Sequence, residues 1–224
     1  MAESETTWNE TSFRRRPESS AGERQYILCA NVGPSFQRFQ KKIFSEHSMT
    51  TSMQLIIDAE AIAKRVRELG ANISEHYGEE PLVMVCVLKG AFIFFADLVR
   101  AMPIEPEVDF VRLASYGAQT SRKERILFTK DMELPVQDKH VLVVDDIVDT
   151  GHSALYLLNV LRMRGAKSLR VCALIDKRER REVDVTVDFP GFVLSEGFVI
   201  GYGLDYAERY RHLPAVYTLN ADVC

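Results

Sequence analysis

Several features are missing from this 224-residue chain, and each absence excludes something. No apolar run approaches the ~18 residues a membrane-spanning helix needs, so no membrane partner is expected. Arg14, Arg15 and Arg16 suggest a twin-arginine signal only until the apolar piece Tyr26–Ala30 is read, which is too short for a signal core. Positive charge is not in excess: 28 Lys and Arg stand against 32 Asp and Glu, the net charge is −4 and the pI is near 5.8. The global basic field used on nucleic acid is therefore lacking, and no nucleic-acid partner is expected. None of the four cysteines forms a CxxC pair or stands at zinc-ligand spacing. Cys86 and Cys172 fall inside apolar runs and read as reduced core thiols, which makes a cytoplasmic location the expectation. No internal repeat is visible.

What is present suits one globular domain with a tail: 46% of residues are hydrophobic. Residues 1–52 are rich in Ser, Thr, Glu and Arg and lack periodicity. They are expected to be a disordered N-terminal extension, or the product of a mis-assigned start, since Met49 and Met53 stand just before the first strong signal. Residues 53–224 are expected to form the domain. Asp58 is an N-cap candidate, with Ile57 and Ile62 spaced as a hydrophobic staple. Ile62, Val66, Leu69 and Ile73 then predict an amphipathic helix over residues 59–77.

The run PLVMVCVLKG from Pro81 reads as a buried parallel strand, Phe92–Arg100 as a short helix, and Glu107–Tyr116 as an alternating strand. Residues 117–130 are polar and long enough for a mobile flap. Val141–Val144 is a further buried strand, Ser153–Arg164 a helix capped by Gly165, and Leu169–Ile175 a strand. Shorter strands are predicted at 192–194, 198–202 and 215–219. Strand and helix alternate, so the fold class is α/β with a mainly parallel sheet flanked by helices.

The stretch VLVVDDIVDTGHS, Val141–Ser153, crowds three aspartates into five residues after a strand. In open α/β sheets, ligands bind beyond the carboxyl ends of the strands. Adjacent buried carboxylates such as Asp145 and Asp146 are unfavourable unless hydroxyl donors or cations meet them. A sugar diol, a magnesium ion, or both meet that need. Asp149-Thr150-Gly151-His152-Ser153 leads into a helix, where free backbone N–H groups favour an anion. Diol and phosphate together describe a ribose 5-phosphate. The GxxxxGK[ST] spacing of a nucleotide-binding P-loop is absent. A solvated acidic turn with an Asp cap is the plain alternative.

This stretch resembles the phosphoribosyl-pyrophosphate (PRPP) signature of type I phosphoribosyltransferases. With VLKGAFIFFADLVR, VDFVRLASYG, LIDKRERREV and FVIGYGLDYAERYRHLP, about residues 54–220 are similar to bacterial hypoxanthine-guanine phosphoribosyltransferases. The resemblance implies a purine-salvage enzyme that joins hypoxanthine or guanine to PRPP with magnesium, releasing pyrophosphate and giving IMP or GMP. It implies the type I fold with a small hood and a mobile flap, and a homodimer or homotetramer.

It also assigns roles. Asp149 matches the general base for the purine N7 proton. Asp145 and Asp146 match the pair that holds the ribose diol near magnesium, with Asp145 one methylene shorter than the Glu often found there. Asp149, Thr150, Gly151, His152 and Ser153 match the 5′-phosphate loop. Many relatives have Lys or Arg in place of His152 and Thr in place of Ser153, so a neutral His152 leaves one positive charge fewer beside the phosphate. Lys89, Gly90 and Arg211 match pyrophosphate contacts, with a non-proline cis peptide implied at Leu88–Lys89. Lys177, Phe198, Val199 and Ile147 match the purine site: a donor to O6, a stacking ring, a backbone contact at the base edge and a cover for the second face. Asp205 matches the metal ligand, with Asp145 and Asp146 nearby. Ser115 and Tyr116 match residues that open the flap.

Read without the resemblance, Lys177 in the charged run Asp176–Glu182 is a solvated residue, and Phe198 and Val199 are core strand residues. Rival readings are an RNA-binding regulator on the same fold, a catalytically dead paralogue, and a preference shifted toward xanthine. The net acidity and the presence of Asp149 disfavour the first two.

Overall fold

The computed structural model describes residues 53–116, 125–195 and 197–219. The calls on residues 1–52, on flap residues 117–124 and on Cys29 and Cys224 lie outside these. The elements run β1 (Met53–Ile57), α1 (Ala59–Tyr77), β2 (Leu82–Leu88), α2 (Phe92–Ala101), β3 (Glu107–Tyr116), β4 (Arg125–Lys130), β5 (His140–Val148), α3 (His152–Met163), β6 (Ser168–Asp176), a 3-10 turn (Arg178–Arg180), β7 (Phe189–Val193), β8 (Val199–Ile200) and β9 (Val216–Leu219).

Six strands form the main sheet in the order β4-β3-β2-β5-β6-β7. All neighbours in it are parallel except β4, which runs antiparallel to β3 at the edge. A second sheet, β1-β9-β8, is antiparallel. The expected α/β class with a mainly parallel sheet is what the chain forms.

The strands are apolar on both faces because both faces are covered. In β2, Leu82, Met84 and Cys86 join the cluster that holds α1 and α2, while Val83 and Val85 join one built with Leu157 and Leu161 of α3. Asp58 caps α1 by accepting from the Ala61 N–H at 2.7 Å. The stripe Ile62, Val66, Leu69 and Ile73 is buried. Gly165 ends α3 at φ +81°. No described helix is long and apolar enough to cross a membrane.

Three expectations need correction. Residues 125–130, read as flap, are strand β4; the alternation of half-buried Ile126 and Phe128 with exposed Leu127 and Thr129 follows the period of a one-sided edge strand. Met53–Ile57, read only as the approach to a helix, is a strand paired with β9. Strand β5 runs to Val148 rather than stopping at Val144.

Asp109 of β3 anchors the far end of this edge. It is 4% exposed, and its carboxylate accepts from the N–H groups of Phe110, Glu133 and Leu134, each at 2.7 Å. Asp109→Ala leaves those donors without their acceptor. The expected cost is about 2–4 kcal/mol, read as a lower urea midpoint at unchanged slope. A midpoint equal to that of the native protein would mean the loop finds other acceptors.

Candidate active site

The site begins where β5 outruns its neighbour. The last β2–β5 partners are Cys86 and Val144, whereas β5 stays paired with β6 as far as Val148 and Asp176. Asp145, Asp146 and Ile147 therefore lie inside the strand, not after it as the sequence reading had them. Their β2-side edge faces the turn Leu88-Lys89-Gly90 instead of another strand. The Leu88–Lys89 bond in that turn is cis. Gly90 approaches so closely that a Cβ there would stand 1.6 Å from Oδ2 of Asp146. Only a residue without a side chain fits.

Asp145 and Asp146 are half-buried and adjacent. Burial first, then the charge of Asp146, pushes the Asp145 carboxyl well above the usual carboxylate range. Burial raises Asp146 too, opposed by hydrogen bonding to Asp145 and by the charge of Arg211. Raised values of this kind mark negative charge without a full counter-ion. A carboxyl whose folded-state pKa lies above its unfolded value costs stability as pH rises through the folded value. Asp145→Asn should therefore stabilise the ligand-free protein at neutral pH, by on the order of 1 kcal/mol. The gain should vanish below about pH 3, under the unfolded-state value of about 3.9, where the carboxyl is protonated in both states. Thermal unfolding at the two pH values reads this directly; a variant no more stable at neutral pH would mean the charge is already balanced.

Beyond β5, Asp149 and Thr150 lead to Gly151, which takes φ +88° and caps α3 with no side-chain hydrogen bond. The first N–H groups of α3, from His152 and Ser153 onward, are thus free for an anion. His152 Nε2 lies 2.9 Å from Glu182 Oε2. One oxygen of Asp149, Oδ2, lies 3.2 Å from Nη1 of Arg180. The other, Oδ1, is buried with no hydrogen-bond partner among the described residues.

Lys177 follows β6, one position past the partner of Val148. It is 3% exposed, not the solvated residue that its charged surroundings suggest. Its ammonium donates to the Gly197 carbonyl at 2.6 Å. Burial pulls its pKa down, while the charge of Asp149 opposes the shift. Phe198, next to Gly197, is half-exposed and meets Tyr206 edge to face at 5.5 Å between centroids. Val199 is buried in β8, and half-buried Ile147 packs against the α1–α2 cluster. The expected purine residues Lys177, Phe198 and Val199 are thus brought together through the 197–199 segment.

Lys89 and Arg211 converge on one residue the sequence reading missed. Glu208 accepts from Lys89 Nζ at 2.9 Å and from Arg211 Nη2 at 3.2 Å. Arg211 also pairs with Asp205 at 2.7 Å and donates to the Gly203 carbonyl, while its buried Nε has no partner among the described residues. No signal short of the fold identifies Glu208 or Arg180, because each acts on a residue distant in the chain. Ser115 and Tyr116 end β3, paired with Ile126 and Arg125.

No three His, Cys, Asp or Glu side chains converge into a metal cage among the described residues. Magnesium rarely needs one: it is held by one or two carboxylates, with waters and substrate oxygens completing its shell. The uncompensated charge of Asp145 and Asp146 fits that mode.

Comparison with known proteins agrees with this geometry. Residues 53–207 match the phosphoribosyl transferase domain family. The chain is 42% identical over 170 residues to a hypoxanthine phosphoribosyltransferase of Salmonella typhimurium, covering 75% of this chain and 96% of that protein. It is 44% identical over 166 residues to a hypoxanthine-guanine phosphoribosyltransferase of Aquifex aeolicus, covering 74% and 93%. A crystal structure of a hypoxanthine-guanine phosphoribosyltransferase from Bacillus anthracis superposes with a TM-score of 0.71 at 37% identity, covering 75% of this chain and 98% of that one. On these matches this chain belongs to the phosphoribosyltransferases, in their hypoxanthine-guanine branch.

Proposed function

We propose that this chain transfers the 5-phosphoribosyl group of PRPP to hypoxanthine or guanine, giving IMP or GMP and pyrophosphate. The observation that carries this reading is Asp149. Its carboxylate stands between the free helix start of α3 and the buried ammonium of Lys177, with one oxygen unpartnered.

In the reaction, purine N9 bonds to ribose C1′ as the C1′–oxygen bond to pyrophosphate breaks. The bonding electron pair leaves with the pyrophosphate, and the N7 proton passes to Asp149. The N–H groups of residues 150–153 hold the 5′-phosphate, and Asp145 and Asp146 hold the ribose hydroxyls. Lys89, Gly90 and Arg211 receive the pyrophosphate, where negative charge grows in the transition state. Lys177 donates to the purine O6, a contact that a 6-amino group cannot accept, so adenine is rejected. Phe198 and Ile147 enclose the base, and Val199 meets its edge through the backbone. Asp205, with Asp145 and Asp146 nearby, would hold magnesium, which would supply further positive charge to the pyrophosphate. Ser115 and Tyr116, at the end of β3, would close over C1′ and keep water from it. The enzyme works as a homodimer or homotetramer in the cytosol, where the buried thiols of Cys86 and Cys172 stay reduced.

The direct test is an ultraviolet assay with PRPP, magnesium and each of hypoxanthine, guanine, xanthine and adenine. Nucleotide should form from hypoxanthine or guanine, with adenine inert. No turnover with any base, in a protein that still binds PRPP, would turn the reading toward a binding or regulatory role.

Asp149→Asn should fold normally, bind PRPP within about threefold of the native protein, and lose turnover by about 100-fold or more, the scale of general base catalysis. Turnover near the native level would take Asp149 out of the base role.

A further inference from the structure

Three successive carbonyls at the end of β5 are held from the same side. The Val148 carbonyl accepts from the Lys177 N–H at 3.0 Å and from Arg181 Nη2 at 3.3 Å. The Asp149 carbonyl accepts from Arg181 Nε at 3.1 Å, and the Thr150 carbonyl from the Glu182 N–H at 3.0 Å. In a trans peptide the C=O and the following N–H point in opposite directions. Pulling the carbonyls of residues 148–150 toward the 177–182 segment therefore turns the N–H groups of Asp149, Thr150 and Gly151 away from it.

The arginine that performs most of this is itself fixed. Its side chain is 14% exposed. Nη2 also meets Oδ1 of Asp176 at 2.6 Å, and Nη1 donates to the Val185 carbonyl. Asp176 is 2% exposed and is satisfied on its other oxygen by Arg178 Nε at 2.8 Å. The loop lies directly on the arginine stem: a Cβ on Gly151 would stand 2.8 Å from Arg181 Cδ. Asp176 immediately precedes Lys177, so one guanidinium ties the phosphate loop to the strand end that carries the purine donor.

We propose that Arg181 is a positioning residue: it aims the backbone donors of the 5′-phosphate loop and locks that loop to Lys177. The role rests on the reading of residues 149–153 as the phosphate site. It requires a planar fork that reaches acceptors on three segments. A lysine keeps the charge but brings a single nitrogen, so it cannot reproduce the set.

The test compares Arg181→Lys with the native protein by steady-state kinetics, and by calorimetry with inosine 5′-monophosphate and inosine. Losing an aimed, charge-assisted contact should raise the KM for PRPP and weaken the nucleotide by about tenfold. The nucleoside, which lacks the phosphate, should change by no more than about twofold, a difference that general loosening does not produce. Should Arg181→Lys fail to fold, Asp176→Asn removes the charge that holds the fork and should give the same pattern at about threefold. Equal losses for nucleotide and nucleoside, or unchanged binding of both in a folded variant, would overturn the proposal. The calorimetry does not depend on turnover. A native protein that prefers the nucleotide but transfers nothing to any purine would remove the proposed reaction and leave Arg181 to be judged by the variant. A native protein that binds both alike would remove the phosphate site, and this proposal with it.

Discussion

The site depends on a difference in strand length. β5 extends four residues past its last partner on β2, from Val144 to Val148. Over that overhang its backbone pairs with β6 alone, and the open edge receives the Leu88–Gly90 turn. On this stretch the Gly90 backbone, rather than a paired strand, comes against Asp146. β6 keeps step with the overhang to Asp176, so Lys177 emerges beside Val148 rather than some 10 Å behind it, the rise of about three strand residues. Were β2 and β5 to end together, the positions proposed for diol, phosphate and purine would not share one crevice.

Charge in that crevice is separated and provisionally neutralised. Negative charge collects on Asp145 and Asp146. Positive charge is spread over Lys89, Arg180, Lys177 and Arg211, and each of these has a partner of its own: Glu208, Asp149, the Gly197 carbonyl, and Asp205 with Glu208. The pairs Lys89–Glu208 and Arg180–Asp149 are partly exposed, and exposed pairs contribute little to stability. Partners of this sort hold the cations in place at small cost, and in the proposed reaction they give them up to a polyphosphate. The Asp176–Arg181 pair is different in kind: both side chains are mostly buried, and it braces backbone rather than waiting for a ligand.

Much of the architecture was legible in the sequence because it rests on local rules. The Asp58 cap, the stripe from Ile62 to Ile73 and the apolar run of β2 each follow from spacing and burial, and each stands where spacing put it. In the Asp145–Ser153 stretch the strand and the helix start were legible for a similar reason, and β5 and α3 stand there. Strand β4 was hidden because its flanking Arg and Lys outweighed a short alternation. Glu208, Arg180 and Arg181 were hidden because their partners lie far off in the chain. In linear order Asp176–Glu182 is a run of charge that belongs in water. Folded, Asp176 is met by Arg178 and Arg181 and Lys177 by the Gly197 carbonyl, and the two sink to 2% and 3% exposure.

Chain topology explains why the crevice opens where it does. After β2 the chain passes through α2 to β3 on one side; after β5 it passes through α3 to β6 on the other. α2 packs in the cluster on one face of the sheet, and α3 in those on the opposite face. The two outgoing connections diverge, and among the described residues no helix or strand lies between β2 and β5 at the carboxyl ends of the strands. Such a switch point is where open α/β sheets bind ligands. Gly90 and Asp146 meet at that point, in a contact that leaves no room for a Cβ. The resulting order is physical rather than sequential. Lys89, Asp149 and Lys177 lie 60 and 28 residues apart in the chain, yet they follow β2, β5 and β6, three consecutive strands of one sheet. In the proposed reaction, pyrophosphate, phosphate and base contacts are therefore spaced by strand separation, about 4.8 Å per step, which is the scale of a single ribose and its substituents.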